Sequence, residues 1–397
     1  MRFKLSKQGL VRFSVFSLIC SVFLFPFGSF SIFKKIIFLL SITTLSSIFY
    51  YTSVRINKSS IYVFLTLCAI FSIALLNTYS NTHLDGGGHI LFSSVISGII
   101  LVVFTSLAVR NKLISLLNIL TYFVIAISIF CVIKVALIVS LFLDIPLVVS
   151  LLQFDTSKHS SIGVNGIYRL VFLNDFYVPL AFILVGSVTN SSKIKLCLRA
   201  LMLIVVLLTL TRYIWLIFVL ILIIRLKPRD LLLFFMFLVT VPFVLDLMLN
   251  TTFIDSILMR FGGAEGNLST GEKVRQVPIL ISEFLNYPYF GKGLGTYVEH
   301  YIRAENLKYG YEVYYLSLLL NLGLVLFSIL FFLLLLLIVK CAFEVGALFF
   351  SYLLCLLLYL GNGFLNPTVL SSSSILFYYL IFLSFLYLSK AQSKKVT

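Results

Sequence analysis

The strongest constraint on this chain is the length of its apolar runs. "SLLLNLGLVLFSILFFLLLLLIV", residues 317–339, carries no charge and has no polar face. A helix that is apolar all round is buried in a large core or in lipid. Spanning a hydrocarbon layer of about 30 Å takes about 20 residues in a helix, the size in which such runs recur here. Lipid offers the backbone no hydrogen bonds, so only helices and closed barrels cross it. Barrel strands alternate apolar and polar residues, and these runs do not. The composition agrees: 61% of the 397 residues are hydrophobic and 11% are charged, against about 25% charged in soluble domains.

The runs predict an all-α polytopic membrane protein, a single integral membrane domain over 1–397. Its expected spans number about twelve: 11–30, 36–52, 60–78, 90–109, 114–142, 171–189, 196–211, 213–226, 231–249, 313–339, 345–361 and 368–388. The first follows a basic N-terminus without a small-residue cleavage site, and is read as a retained helix. An even count puts both termini on one side. Lys and Arg retained in short cytoplasmic loops fix orientation. With the termini in the cytoplasm, Arg2, Lys4, Lys7, Arg12, Arg55, Lys58, Arg110, Lys112, Lys193, Lys195, Arg199, Arg225, Lys227, Arg229, Lys340, Lys390, Lys394 and Lys395 fall inside. Only Lys34, Lys35, Lys158, Arg169 and Arg212 occupy short outer loops. The net charge of +16 is thus read as membrane anchoring, and no motif supports nucleic acid. Residues 196–226 form either two short helices around Arg212 or one helix with a mid-membrane arginine. The pair keeps Arg225, Lys227 and Arg229 inside.

This orientation turns all four histidines outward (His83, His89, His159, His300) with most of the carboxylates. Two outer loops are large, about 143–170 and 250–312. Long loops are commonly functional. The second is rich in aliphatic and aromatic residues, so it is expected to be ordered. Ser269 followed by Glu272 fits a capping box, and Val274, Val277, Leu280, Ile281 and Phe284 recur at helical spacing. A helix is expected over 270–286 near the membrane surface, with Pro278 in its first turns. "GKGLG" follows, where Gly291, Gly293 and Gly295 permit a tight turn and close backbone approach.

Several chemistries are unsupported. There is no Asp-x-Asp pair. "GNLSTGEK" (266–273) places Glu272 where a phosphate-binding loop needs lysine. Cys20, Cys68, Cys131, Cys197, Cys341 and Cys355 form no Cys-x-x-Cys pair and are read as buried structural thiols. His83, Asp85 and His89 lack a further ligand nearby, so no metal is expected. Asp175 and Asp246 lie in spans and are expected to pair with a basic group such as Arg212 or Lys134.

Arg212 at a membrane boundary calls for a partner or a wet cavity; a snorkelling side chain is the plainer reading. Arg275 projects from the expected helix and suits a phosphate clamp, because guanidinium binds phosphate oxygens in pairs. Arg260 and Arg303 are either further clamps or solvated charges. Glu312, where the long loop returns to the membrane, is either a general base or a carboxylate stabilised by a helix dipole. Glu299 and His300 read as a surface pair.

The order "LTLTRYIWL", long outer loop, "STGEKVRQ…FLNYPYFGKGLGTY", "EVYYLSLLLNLGLV" resembles the bacterial O-antigen polymerase and ligase superfamily over about 200–330. That resemblance implies a GT-C-like membrane glycosyltransferase that joins polyprenyl-diphosphate-linked oligosaccharides at the periplasmic face of the inner membrane. It implies no metal cofactor, and a chain-length regulator and a flippase as partners. The arginines that match its pattern are Arg212 and Arg275, with Arg260 a further candidate; together with the reading of the residues themselves, the expected catalytic residues are Arg212, Arg275 and Glu312, and the expected substrate-binding residues Arg260, Arg303, His300, Tyr297, Gly291 and Gly293. Ligases of the superfamily carry a His-Asn pair where Glu312 and Val313 stand, which favours polymerase over ligase. A lipid-linked oligosaccharide flippase is the alternative from another class.

Overall fold

The computed structural model describes residues 6–24, 31–52, 58–81, 87–142, 160–162, 168–209, 211–225, 264–302, 308, 310–364 and 371–396, with isolated positions between 236 and 247. Its helices are α1 (Lys7–Phe23), α2 (Ser31–Tyr51), α3 (Lys58–Asn81), α4 (Gly87–Arg110), α5 (Leu116–Phe142), α6 (Val178–Val188), α7 (Ser192–Leu208), α8 (Arg212–Arg225), α9 (Ala264–Asn286), α10 (Tyr314–Val345), α11 (Phe349–Gly361) and α12 (Ser372–Val396). A small antiparallel hairpin, β1 (Ser160–Ile162) with β2 (Tyr168–Leu170), lies in the first expected loop. Among the described residues, six helices are long and apolar enough to cross a membrane: α2, α3, α4, α5, α10 and α12. The expected span 231–249 falls outside the described residues apart from isolated positions.

The chain divides into two compact units, 1–48 with 114–268 and 49–113 with 269–397. In the first, α5 is the central helix, packed by α1, α6 and α7. Phe23 meets Phe123 and Tyr177 edge-to-face, with ring centroids 5.2 and 5.3 Å apart. Within this apolar packing sits a fully buried ion pair, Lys134 Nζ to Asp175 Oδ1 at 2.7 Å. Asp175 Oδ2 also accepts the Phe172 N–H at 2.7 Å. Lys134, not Arg212, is therefore the partner of Asp175. The segment 196–226 is two helices. Leu208 ends α7, and the carbonyl of Val206 accepts the Thr209 hydroxyl at 2.7 Å and the Trp215 indole N–H at 2.9 Å. Side chains thereby satisfy a helix end that has lost its backbone donors.

In the second unit α4 packs on α3 and α12, and α10 on α3, α11 and α12. Ile70, Phe71, Ala74, Val95, Ile99, Leu318, Leu322 and Leu326 fill its core, joined by Leu294 from the glycine-rich loop. Close approach of α4 and α12 uses Gly98, where a Cβ would meet Ile375 and Ser372, the small-residue contact typical of membrane helices. α10 runs on through Lys340 and Glu344 to Val345, where a loop was expected. It stops at Gly346, whose φ of 61° and ψ of −128° depart from the helix in a region open mainly to glycine. α11 is correspondingly shorter than the expected span 345–361.

None of the six cysteines forms a disulfide; Cys20, Cys131 and Cys355 are buried as expected, but Cys68 and Cys341 are half-buried and Cys197, near the start of α7, is exposed. A cysteine in a basic helix start ("SKIKLCLR") faces outward from the helix bundle because only the later turns of α7 reach the core.

Candidate active site

α10 is broken at its tenth residue. Gly323 has φ 67° and ψ 174°, which interrupts the ladder and leaves two carbonyls and two N–H groups without helical partners. The segment after α9 supplies all four. Lys292 N–H donates to Leu320 O at 2.8 Å and Gly293 N–H to Asn321 O at 3.3 Å. Leu324 N–H donates to Pro288 O at 2.8 Å and Val325 N–H to Tyr289 O at 3.0 Å. The α3 end clasps the same segment: Leu294 N–H reaches Ala74 O at 3.0 Å, and Thr78 Oγ1 donates to Leu294 O at 2.9 Å. A Cβ on Gly293 would run into the backbone of Thr78, and its φ of 122° is unfavourable for other residues. Gly291 and Gly295 likewise press on the backbone of α10 and of α4. The expected close approach is thus made to the protein's own chain, and Gly291 and Gly293 are buried. Both of these expected substrate-contact residues thus pack against other parts of the chain.

α9 is longer than expected. It starts at Ala264, so Ser269 and Glu272 lie inside the helix and form no capping box, and Pro278 is mid-helix. Gly266 and Gly271 are tolerated within a helix at about 1 kcal/mol each. The buried face is also offset. Leu280 joins Val298, Tyr311, Val313 and Leu320, with Val277 and Phe284 alongside. Val274, Ile281 and Leu285 are exposed instead.

The inward face of α9 is polar near its middle, and it meets the returning loop. Lys273 Nζ lies 3.6 Å from Glu312 Oε2. Gln276, fully buried, accepts the N–H groups of Glu312 at 2.8 Å and Val313 at 3.4 Å on Oε1. Glu272 Oε1 accepts the Tyr301 hydroxyl. Tyr301 stacks on Tyr311, centroids 6.3 Å apart at 16°. The Tyr311 hydroxyl accepts from Val298 N–H at 2.8 Å and donates to Tyr301 O at 3.2 Å. Burial pushes the Tyr311 phenol up to about 12, which keeps it neutral and able to donate. One turn on, Lys292 Nζ bridges Glu283 at 2.7 Å and the Tyr297 carbonyl at 3.1 Å. The Lys308 ammonium sits 5.1 Å from the Tyr297 ring centroid.

Of the residues expected at the site, Arg275, Glu312, Tyr297 and His300 belong to this unit. Arg275 is exposed on α9 and forms no ion pair among the described residues. Glu312 is mostly buried and bound by Lys273. Glu299 and His300 are both exposed. Arg212 belongs to the other unit, half-buried as the first residue of α8. Arg260, Arg303, His83, Asp85, His159 and Asp246 lie outside the described residues. His89 is described, with its Nε2 2.6 Å from the Tyr79 hydroxyl.

Sequence reasoning passed over Lys273, Gln276, Glu283, Lys292, Tyr301 and Tyr311. A signal was present: Glu272, Gln276, Leu280 and Glu283 fall on one face of α9, and polar residues sharing a face with core leucines need buried partners. Chemically, the cluster offers a shielded carboxylate and three tyrosines, and the exposed Arg275 lies on the same helix. Such a set can accept a proton from a hydroxyl, hold an anionic group and stack on a sugar ring. No family model, curated protein or solved structure matches the chain.

Proposed function

We propose that this chain is a membrane glycosyltransferase that polymerises polyprenyl-diphosphate-linked oligosaccharide units, an O-antigen polymerase. In this reading it has about twelve spans, a GT-C-like arrangement, cytoplasmic termini and a periplasmic active face in a bacterial inner membrane. A chain-length regulator and a flippase would work beside it. The observation that carries the reading is Glu312, mostly buried just before α10 with Lys273 Nζ 3.6 Å from its carboxylate, on a unit that also carries Tyr297 and the exposed Arg275.

The step balances with these groups. The acceptor sugar's hydroxyl oxygen attacks the donor's anomeric carbon, and its proton passes to Glu312. The bond from that carbon to the lipid diphosphate breaks, and the diphosphate leaves with the electron pair. Arg275 stabilises the developing charge, a contribution worth about 10²–10³ in rate at comparable sites. Tyr297 supplies an aromatic face for the sugar. Arg212 opens a helix of the other unit, and chain length in Arg212→Ala at normal protein levels tests its role.

Deleting the gene in its host and resolving the surface polysaccharide on a gel tests the reading. A core bearing a single repeat unit is expected. An uncapped core would replace polymerase by ligase or flippase. Arg275→Ala and Glu312→Gln should each reproduce the deletion at normal protein levels. Wild-type chain lengths in both would remove the site.

A further inference from the structure

Glu312 is held twice by one helix. Lys273 reaches its carboxylate, and Gln276, one turn further along α9, holds the backbone on either side of the Glu312–Val313 peptide. Those N–H groups immediately precede α10 and belong to the donors that a helix start leaves unsatisfied. Side-chain and backbone restraints on Glu312 thus come from a single rigid element. Rigid support fixes a reactive group far better than a loop does.

Gln276 is an odd choice for a simple cap. Its residue is fully buried, and its Nε2 has no hydrogen-bond partner among the described residues. Burying an unmet amide is unfavourable, and a leucine of similar volume would avoid that cost within the apolar surroundings of Leu280 and Val313. Local rules broken without a packing gain point to function.

We propose that Gln276 is a positioning residue for the glycosyl transfer: through Oε1 it sets the Glu312 backbone so that the carboxylate meets the acceptor hydroxyl. The proposal rests on reading Glu312 as the proton acceptor. Displacing a catalytic group by about 1 Å costs about 100-fold in rate. Gln276→Leu deletes the acceptor atom. Gln276→Asn keeps the amide but withdraws it by one methylene, and carries the test alone if the leucine variant does not fold.

The assay uses the full-length protein in lipid nanodiscs. Its substrate is the polyprenyl-diphosphate-linked oligosaccharide extracted from the gene-deleted host. With either variant, kcat should fall about 100-fold at a KM within about twofold of wild type. Glu312→Gln combined with either variant should be no slower than Glu312→Gln alone, since Gln276 would act only through that carboxylate. Losses that multiply would show a general packing role and overturn the proposal, as would wild-type kcat in Gln276→Asn beside an inactive Glu312→Gln. If Glu312→Gln itself polymerises normally, the reading of Glu312 fails first, and this result is distinct from the other two.

Discussion

At the scale of single residues, the second unit holds a largely buried ion pair, Lys292 with Glu283, while the first buries one completely. Lys134 and Asp175 are both inaccessible. Removing one member of a buried pair strands the other and costs about 3–5 kcal/mol, whereas replacing both is often close to neutral. Lys134→Met should therefore lower the unfolding temperature in detergent sharply, and Lys134→Met with Asp175→Asn should recover most of the loss. Equal losses in the single and double variants would mean that the pair adds nothing beyond its packing. Tyr311 gives a prediction in pH. Its phenol is raised from 10 to about 12 in the folded state, so the folded chain holds a proton that the unfolded chain releases between those values. The corresponding stability is fully present below pH 10 and is lost as pH rises toward 12. Tyr311→Phe should be about 1 kcal/mol less stable at neutral pH and should show a flatter decline over that alkaline window. The difference between the two pH–stability curves isolates this group from the other tyrosines.

At the scale of elements, the loop after α9 and the break in α10 form one structure. The two helical hydrogen bonds missing at Gly323, 324 to 320 and 325 to 321, are replaced by four to residues 288–293, so neither part is complete without the other. Gly293→Ala would push a Cβ into the Thr78 backbone and force an unfavourable φ; the φ alone costs about 1–2 kcal/mol. Gly271, inside α9 with open space around it, provides the contrast: Gly271→Ala should stabilise by about 0.5–1 kcal/mol. Thermal unfolding of the two variants checks both signs, and a harmless Gly293→Ala would mean that the loop does not thread the break. These elements also show what the sequence discloses. The apolar runs and the glycine spacing announce helices and a close approach, because length and the lack of a Cβ act locally. The break at Gly323 is silent, since a glycine in a leucine-rich run reads equally as an ordinary helical residue. The face of α9 was missed for a similar reason. Val274 and Ile281 are as apolar as Val277 and Leu280, and only the tertiary partners decide which stripe is buried. Glu312 was visible from its position at the end of a long loop, but Gln276 and Lys273 were not, because their importance comes from contacts across 36 and 39 positions of chain.

At the scale of the whole molecule, the remaining question is which way the second unit crosses the membrane, and α10 can answer it. Beyond the break at Gly323, the continuous stretch 324–345 measures about 33 Å at about 1.5 Å per residue, enough to cross a hydrocarbon layer of about 30 Å. If α10 crosses, the ends near Glu312 and Glu344 emerge on opposite sides. Under the expected orientation, in which short cytoplasmic loops keep the Lys and Arg, Glu344 and Lys340 would be cytoplasmic, and α9, the glycine loop and Glu312 would lie outside. Single cysteines can be placed at the exposed positions Glu299 and Glu344 on a background lacking the native thiols. A membrane-impermeant maleimide applied to intact cells should label Glu299→Cys, and should label Glu344→Cys only after the inner membrane is opened. The reverse pattern would put the Glu312 cluster in the cytosol. Lipid-diphosphate-linked sugars already carried to the outer face would then be out of its reach, and polymerisation there would be physically excluded whatever the cluster's chemistry.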